Sequence, residues 1–314
     1  MGGKTQVIAA DEAGIAQAVR VLAASGLVAL PTETVYGLAA RADDGHAVAG
    51  IFAAKGRPAF NPLIVHVATL EAAERLALFD DAARGLARAF WPGPLTLVLP
   101  RREDAGLADA VTAGLPTVAV RVPRHLVMQA VLACCSFPLA APSANASGTI
   151  SPTAAEHVLR SLNGRIDLVL DAGSTSQGVE STIVAVREGG LLEELRPGPL
   201  DLAVLGEKSR GATSASSPGV RIEAPGQLVR HYAPGKPMRL NAAEPLADEF
   251  FIGFAGVPGD CTLSAGGDLA EAAARLYDCL HRAAASYKPR IAVARVPDKG
   301  VGRAVNDRLR RAAA

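Results

Sequence analysis

Four short polar motifs stand within apolar stretches of this 314-residue chain. They combine Thr, Ser, Asn, Lys and Arg with small residues, and apolar runs typical of strands adjoin three of them. The motifs occupy residues 31–37 (PTETVYG), 55–58 (KGRP), 141–145 (APSAN) and 178–182 (GVEST). A sheet that repeatedly ends in such residues presents one polar site. Cations and hydroxyls in this mixture suit an anionic ligand better than a metal ion.

The second motif places two cations close together. Lys55 falls in the last turn of a predicted helix, where a positive charge suits the helix dipole. Pro58 disfavours helical geometry at Arg57 and makes it extended. The two side chains can therefore converge on one anion from a helix end and a loop. A solvated helix end is the alternative interpretation.

Three further ionisable residues lie in or at the ends of predicted strands. Arg121 alternates with the valines of residues 118–122, on a face that also carries small Ala119. That face is expected to be covered, so Arg121 needs a partner such as a ligand carboxylate or phosphate. Arg196 ends a strand at a proline turn, where a surface charge is equally expected. For His66, which alternates out of an apolar strand, a core histidine with its hydrogen bonds satisfied is the usual explanation.

Ser143, Asn145 and Ser181 supply hydroxyl and amide groups beside strand ends. Turn chemistry alone accounts for them, although they also suit phosphate oxygens or a small polar substrate. The sequence has no P-loop that follows a strand, no H-E-x-x-H, no G-x-S-x-G and no G-x-G-x-x-G. Its histidines are scattered, so a protein-ligated zinc site is not expected. A bound nucleotide would be held mainly by side-chain charges.

These motifs are positioned by helices and strands that alternate irregularly, which predicts a mixed-sheet α/β fold. Ser151 and Pro152 have the pattern of a helix start. Helices are predicted over residues 11–25, 45–54, 70–79, 81–90, 125–133, 151–162, 269–285 and 301–313. Strands are predicted over residues 27–30, 62–67, 95–99, 117–122, 139–141, 166–170, 181–186, 191–196, 238–240, 250–254 and 291–296.

Composition divides the chain into three parts. Residues 1–206 form the first predicted domain. Residues 207–237 are rich in Ser, Gly, Ala and Pro, which is typical of a linker. His231 and Tyr232 are unusual in such a segment and indicate a linker that docks. Residues 238–314 form a second, small α/β domain.

Net charge, composition and cysteine content limit the classes of protein to which this chain can belong. The net charge is +1 and aromatic residues make up 4%, which argues against a nucleic-acid surface. Four cysteines without a C-x-x-C pair favour a reducing compartment. No signal-peptide core or membrane-length apolar run is found, so a soluble cytoplasmic protein is expected.

The order and spacing of the motifs resemble the threonylcarbamoyl-AMP synthase family in its long two-domain form. Lys55-x-Arg57 with Ser143-x-Asn145 is similar to that family's signature. The resemblance covers nearly the whole chain. It implies a YrdC-like catalytic domain, with a twisted mixed sheet and a concave basic cavity, plus a small C-terminal Rossmann-like α/β domain. The other matching stretches are 31–37, 61–66, 91–95, 118–121, 178–182, 196–199, 224–226, 231–234 and 302–308.

The resemblance implies that ATP, L-threonine and bicarbonate give threonylcarbamoyl-AMP and pyrophosphate. The product serves threonylcarbamoyladenosine formation in tRNA, so a downstream tRNA threonylcarbamoyl transferase is the implied transient partner. Mg²⁺ would be bound through the nucleotide and water, with no protein metal site. A carbamate is already an anion, so its attack on the α-phosphate needs positioning and charge neutralisation rather than a strong base.

Residue by residue, the resemblance also implies roles. The L-threonine pocket would be lined by Thr32, His66, Arg121, Ala141 and Ser181, and Arg121 would meet the substrate carboxylate. ATP would be held by Lys55, Arg57, Thr117, Ser143, Asn145, Ser151, Arg196 and Tyr232. Lys55 and Arg57 would also act in catalysis. Tyr232 would reach from the linker, which would close as a lid. Val229 stands where related linkers often carry a second aromatic residue, which bears on the tightness of that lid.

Two other functions remain open on the residues alone. A concave basic sheet could hold RNA phosphates, and salt-dependent RNA binding without ATP turnover would favour that function. A carbamoyl-transfer enzyme of related fold would use carbamoyl phosphate, but such enzymes usually carry additional domains.

Overall fold

The structure is a computed structural model that describes residues 4–201, 209–210, 222–227 and 230–314. Its described strands form an eleven-stranded sheet from the first two thirds of the chain and a four-stranded sheet from the last third. Helices alternate irregularly with the strands, which confirms the predicted mixed α/β class.

The large sheet mixes parallel and antiparallel pairs. Its strands are β1 (Gln6–Ala9), β2 (Val28–Leu30), β3 (Gly37–Arg41), β4 (Ile64–His66), β5 (Leu95–Pro100), β6 (Thr117–Arg121), β7 (Leu139–Ala140), β8 (Leu168–Asp171), β9 (Thr182–Arg187), β10 (Leu191–Arg196) and β11 (Ser209–Arg210). They lie side by side in the order β1-β8-β2-β3-β7-β4-β6-β5-β9-β10-β11. β4 and β6 are parallel neighbours, and their register sets His66 beside Arg121.

Among the described residues of the first two thirds of the chain, seven α-helices cover the large sheet. They are α1 (Glu12–Ala23), α2 (Gly45–Lys55), α3 (Leu70–Glu74), α4 (Asp81–Phe90), α5 (Asp109–Thr112), α6 (Leu126–Cys134) and α7 (Ala155–Leu162). Asp44 caps α2 by accepting from two backbone N–H groups, and α2 ends at left-handed Gly56. That ending brings the chain directly from Lys55 into the KGRP loop.

The two faces of the sheet are covered differently, and this positions the site. On one face, α2, α4, α5 and α7 pack in a single apolar core. On the other face, α1 and α6 cover the β2–β3–β7 side. Next to them, a patch that includes Ile64, Ala119 and Ile183 packs against linker residue Ala224. Because Ala119 is small, this patch forms a shallow depression in the sheet surface, called the shelf below. A loop of the linker covers the shelf, and no helix of the described residues does so.

The structure corrects several predicted boundaries. The helix expected from Ser151 begins at Ala155, because Ser151 uses its hydroxyl to bind Glu180 rather than to cap the helix. The helix predicted over 70–79 ends at Glu74. β1 and β3 were not predicted. β3 escapes detection because Gly37 and its alanines have low strand propensity, yet it pairs on both sides with β2 and β7.

The C-terminal domain has its own parallel sheet, as the expected Rossmann-like unit requires. β12 (Met238–Arg239), β13 (Glu249–Gly253), β14 (Cys261–Thr262) and β15 (Arg290–Val293) lie in the order β12-β15-β13-β14. The helices α8 (Leu269–Ala285) and α9 (Gly302–Ala313) pack on each other, and α8 has its predicted bounds. Cys261 and Cys279 form a disulfide that joins β14 to α8, whereas the cysteine pattern favoured a reducing compartment.

The C-terminal domain packs directly against the polar motifs of the large sheet. Val35 of the first motif and Val179 of the fourth belong to the apolar core of the C-terminal domain. Gly178 has a φ of +69°, and a Cβ there would meet backbone atoms of α8 at 2.4 Å. The domain therefore contacts the loops that carry the site. Within the part of the chain that the structure describes, no helix is long and apolar enough to cross a membrane.

Candidate active site

The polar motifs meet around one cavity beside the patch of the sheet that the linker covers. The first motif is the hairpin loop between β2 and β3, and the third follows β7 directly. The fourth leads into β9, while His66, Arg121 and Arg196 end β4, β6 and β10. Of the predicted site residues, the cavity is lined by Thr32, Arg57, His66, Arg121, Ala141, Ser143, Ser181, Arg196 and Tyr232.

Arg121 is held from three directions. Its Nη2 donates to Glu33 Oε1 at 2.7 Å, its Nη1 to Thr34 Oγ1 at 3.0 Å and its Nε to Gly93 O at 3.2 Å. Burial opposes the charge of Glu33, but Arg121 outweighs it and lowers the pKa of this carboxyl. The partner that the covered arginine required is thus within the protein, and the guanidinium still borders the cavity.

His66 lies beside Arg121 and is neutral. Burial, together with the charge of Arg121, lowers the pKa of His66 to about 3. Its Nδ1 is buried and has no hydrogen-bond partner among the described residues. A core histidine with all its hydrogen bonds satisfied therefore does not account for it. A neutral imidazole with a free nitrogen can bind a small polar ligand.

Arg196 and Ser181 form a second polar cluster. Arg196 donates to the Ser181 carbonyl from Nε and Nη2, and to Ser181 Oγ at 3.1 Å. Ser181 Oγ also lies 2.7 Å from Thr96 Oγ1. Burial lowers the pKa of Arg196. The remaining nitrogen, Nη1, binds the carbonyl of Pro225 in the linker.

Lys55 and Arg57 do not converge in this structure. Lys55 Nζ donates to the backbone carbonyls of Ser143 and Asn145, and it does not line the cavity. Arg57 lines the cavity, while its Nε and Nη2 bind the carbonyls of Asn61 and Pro62. Burial, with Arg196 nearby, lowers the pKa of Arg57 to about 9. Lys55 thus fixes the S-x-N loop, and Arg57 supplies charge to the cavity.

Three other predicted ATP ligands lie outside the cavity lining. Thr117 starts β6, four residues before Arg121 and on the same face, so roughly 13 Å separates them along the strand. Asn145 is buried and binds the carbonyls of Ala146 and Thr149 through Nδ2. Ser151 is fully buried against Glu180.

The linker closes the cavity. Pro225, Gly226, His231 and Tyr232 all contribute to its lining. The space that they leave is about 40 Å³, whereas sites for small molecules usually measure about 300–1,000 Å³. Tyr232 is 1% exposed, and burial raises the pKa of its phenol. A ligand the size of a nucleotide would enter only if the linker moved.

Two buried acids of the site were not assigned from sequence. Glu33 orients Arg121, and Glu180 borders the cavity. Both stand within the polar motifs, and the signal that could have found them is a carboxylate inside an otherwise apolar, covered stretch. Such a group needs a cation partner. The partners lie 88 and 128 residues away, so spacing does not reveal them.

The donor set fits a metal ion carried by a ligand rather than by the protein. Throughout residues 4–201 and the later described segments, no three His, Cys, Asp or Glu side chains are grouped to hold a metal. Glu180, which lines the cavity, and Glu33, which binds Arg121, are each paired with an arginine. Phosphate oxygens and water would have to supply the coordination of Mg²⁺.

Comparison with known proteins agrees with this architecture. A profile of the Sua5/YciO/YrdC family, described as telomere recombination, matches residues 20–198. A second profile, described as the threonylcarbamoyl-AMP synthase C-terminal domain, matches residues 192–314. The crystal structure of Pyrococcus abyssi Sua5 complexed with L-threonine superposes with a TM-score of 0.90 at 37% identity, over 98% of both chains.

Two curated relatives align with this chain over nearly their full lengths. The threonylcarbamoyl-AMP synthase of Bacillus subtilis is 39% identical, over 98% of this chain and 95% of its own. That of Pyrococcus abyssi is 40% identical, over 91% and 90%. Both the large sheet and the C-terminal domain are therefore shared, and the chain belongs to the threonylcarbamoyl-AMP synthase family in its two-domain form.

Proposed function

We propose that this protein condenses L-threonine, bicarbonate and ATP into threonylcarbamoyl-AMP and pyrophosphate. The observation that carries the proposal is the convergence of Arg57, Arg121 and Arg196 on one cavity lined by hydroxyls and small side chains. Such a site offers charge and position, and the low pKa of His66, about 3, makes its imidazole a weak base. A reaction whose nucleophile is already an anion requires that combination.

L-Threonine would occupy the end of the cavity near Arg121. The fixed guanidinium is suited to bind the substrate carboxylate. Neutral His66 and the hydroxyls of Thr32 and Ser181 would bind its polar groups, and Ala141 would leave room for its methyl group. Discrimination against serine by that methyl alone would be modest, about 10–200-fold.

ATP would lie along the shelf between β6 and β10. Arg57 and Arg196 are close enough to influence each other's charge and would share the triphosphate. Lys55 would act by holding the carbonyls of the S-x-N loop, so that the loop can face the nucleotide through Ser143. Thr117, Asn145 and Ser151 are further proposed ATP contacts. Mg²⁺ bound to the phosphates would supply additional neutralisation.

The chemical step would then be an in-line displacement. The free amine of threonine and bicarbonate give a carbamate and one molecule of water, and a carbamate oxygen then bonds to the α-phosphorus. The bond from this phosphorus to the bridging oxygen breaks, and pyrophosphate leaves with that oxygen and the electron pair. Arg57 and Arg196 would stabilise the charge that develops on the phosphoryl oxygens.

The linker within residues 207–237 would act as a lid between domains at 1–206 and 238–314. The 40 Å³ cavity supports this role, because ATP cannot enter the closed arrangement. Opening and closing of such segments often controls turnover. The product would pass to a tRNA threonylcarbamoyl transferase, which agrees with a cytoplasmic location. The Cys261–Cys279 disulfide is the observation that does not favour that location.

The direct test is to incubate the protein with ATP, Mg²⁺, bicarbonate and L-threonine, and to follow pyrophosphate together with the adenylate by mass. Release that depends on both threonine and bicarbonate is expected. Pyrophosphate formed with carbamoyl phosphate instead would favour the carbamoyl-transfer function. Salt-dependent RNA binding with no turnover would favour the RNA-binding function.

A further inference from the structure

A buried arginine of the C-terminal domain reaches the edge of the candidate active site. Arg308 on α9 is 0% exposed, and its Nε donates to Glu180 at 2.8 Å. Its Nη1 donates to Asp307, and its guanidinium lies 5.5 Å from the ring centre of Tyr232. Arg308 therefore contacts one acid that borders the cavity and one linker residue that closes it.

Glu180 belongs to the first domain and binds side chains of both domains. Its carboxylate also accepts from Ser151 Oγ at 2.6 Å and from the Tyr277 hydroxyl of α8 at 2.9 Å. Burial raises the pKa of Glu180, but the charges of Arg308 and Arg196 outweigh it and bring the pKa to about 2. The acid is thus ionised and lies between a structural cation and a cation of the cavity.

The fourth motif is also held in place by packing. Gly178 lies so close to the backbone of α8 that no side chain fits, and Val179 is buried in the core of the C-terminal domain. Glu180 and Ser181 follow directly, and Ser181 is bound by Arg196. The C-terminal domain therefore determines where this segment of the site lies.

We propose that Arg308 is a positioning residue of the nucleotide site: it neutralises Glu180, so that Arg196 remains available to the triphosphate, and it holds Tyr232 of the linker. The proposal rests on the proposed function. Arg308 and Arg196 are the two cations whose charges act on Glu180. Without Arg308, the buried Glu180 carboxylate would interact with Arg196 alone of these two. Arg196 would then pair with Glu180 and be drawn away from ATP, while the threonine end around Arg121 would be unchanged.

Arg308→Ala is therefore expected to raise the KM for ATP about tenfold or more, the loss that follows when one charge-assisted hydrogen bond is weakened. The KM for L-threonine should change less than threefold. In Arg308→Ala/Glu180→Gln the excess negative charge is removed, and the KM for ATP should return to within about threefold of the wild-type value. Rescue by a second substitution distinguishes charge balance from general damage.

Arg303→Ala is the matched control. Arg303 is on the same helix and also forms an ion pair across the domains, with Glu194, but it does not line the cavity. If docking of the domains were all that mattered, this variant would reproduce the ATP defect. Thermal unfolding of each variant, and Arg308→Lys as a conservative replacement, guard against misfolding.

The outcomes separate the two proposals. The positioning role is supported if Arg308→Ala raises the KM for ATP, the added Glu180→Gln substitution restores it, and Arg303→Ala leaves it unchanged. An unchanged KM for ATP in folded Arg308→Ala, or a defect without rescue, overturns it. If the wild-type protein releases no threonine-dependent pyrophosphate, the proposed function fails, and ATP affinities from calorimetry on the same variants decide the positioning role by the same criteria.

Discussion

At the residue scale, the site is built from charges that the protein itself partly neutralises. Arg121 was predicted from strand alternation, because a single polar residue on a covered face is visible in a short window. Its partner Glu33 was not, since it comes from a hairpin loop 88 residues earlier. A sequence thus reveals that a buried charge needs a partner, whereas the fold decides which partner it has.

Arg57 is the cavity cation that we expect to matter most for turnover. Arg57→Ala should lower kcat by roughly 10²-fold, as the loss of one electrostatic stabiliser does. Steady-state pyrophosphate release provides the measurement. Arg88→Ala, at an exposed position on α4, is the control. If folded Arg57→Ala kept a kcat within a few-fold of the wild-type value, Arg57 would have no catalytic role.

Arg121 is expected to act on threonine rather than on ATP. A lysine cannot reproduce its three fixed bonds to Glu33, Thr34 and Gly93. Arg121→Lys should therefore raise the KM for L-threonine about tenfold or more, with the KM for ATP nearly unchanged. Arg84→Lys, which alters a half-exposed pair with Glu74, is the control. Equal effects on both substrates would contradict a dedicated carboxylate site.

At the element scale, strong local signals were predicted well and weak ones were not. The helices α2 and α8 were predicted with nearly their observed bounds, and Asp44 and Asp268 cap them by accepting from backbone N–H groups. β3 was missed because its small residues carry little strand signal, and pairing on both sides forms it. Ser151 has the sequence of a helix cap but serves the domain contact instead. Tertiary partners override local propensity at these positions.

The linker provides a prediction at the same scale. Gly226 has a φ of +85°, and a Cβ there would lie 2.9 Å from Arg196 Cδ. Overpacking of this kind costs about 1–3 kcal/mol. Gly226→Ala should therefore speed amide exchange in residues 222–227 about tenfold. Because the proposed lid must also close over bound ATP, a destabilised linker should raise the KM for ATP.

Gly235→Ala is the matched control for that experiment. Gly235 also has a positive φ, of +76°, but a Cβ there meets nothing within 4 Å. The two variants share the backbone strain and differ in the contact with Arg196. Equal exchange rates and equal ATP kinetics in both would show that contact with Arg196 is unimportant.

At the scale of the whole molecule, the two domains share one core across the site loops. The sequence predicted both domains from composition, and the boundaries at 206 and 237 stay predictions. It could not predict that Val35, Ile150 and Val179 pack into the core of the C-terminal domain. Nor could it show the ring of His157 stacked 3.8 Å from that of His281, on the facing helices α7 and α8. Such contacts depend on how the domains dock.

Buried histidines make the folded molecule sensitive to mild acid. Burial lowers the pKa of His66 and His231 to about 3 and that of His157 to about 4. An unfolded chain binds protons at these positions below about pH 6.5. Between that pH and about 4 the unfolded state therefore holds more protons at these histidines, and the free energy of unfolding falls as the pH is lowered. Each of these histidines lowers the free energy of unfolding by up to about 1.4 kcal/mol for each pH unit of acidification in this range.

Urea unfolding at pH 7, 6 and 5 measures this effect. The loss of stability should be steepest below pH 6.5, and His157→Gln should reduce the slope by about one proton. His46→Gln, at an exposed histidine of α2, is the control. His157 also lies 3.8 Å from Asp278 of α8. A slope unaltered in His157→Gln would mean that this acid and Glu156 satisfy the protonated ring within the folded domain contact.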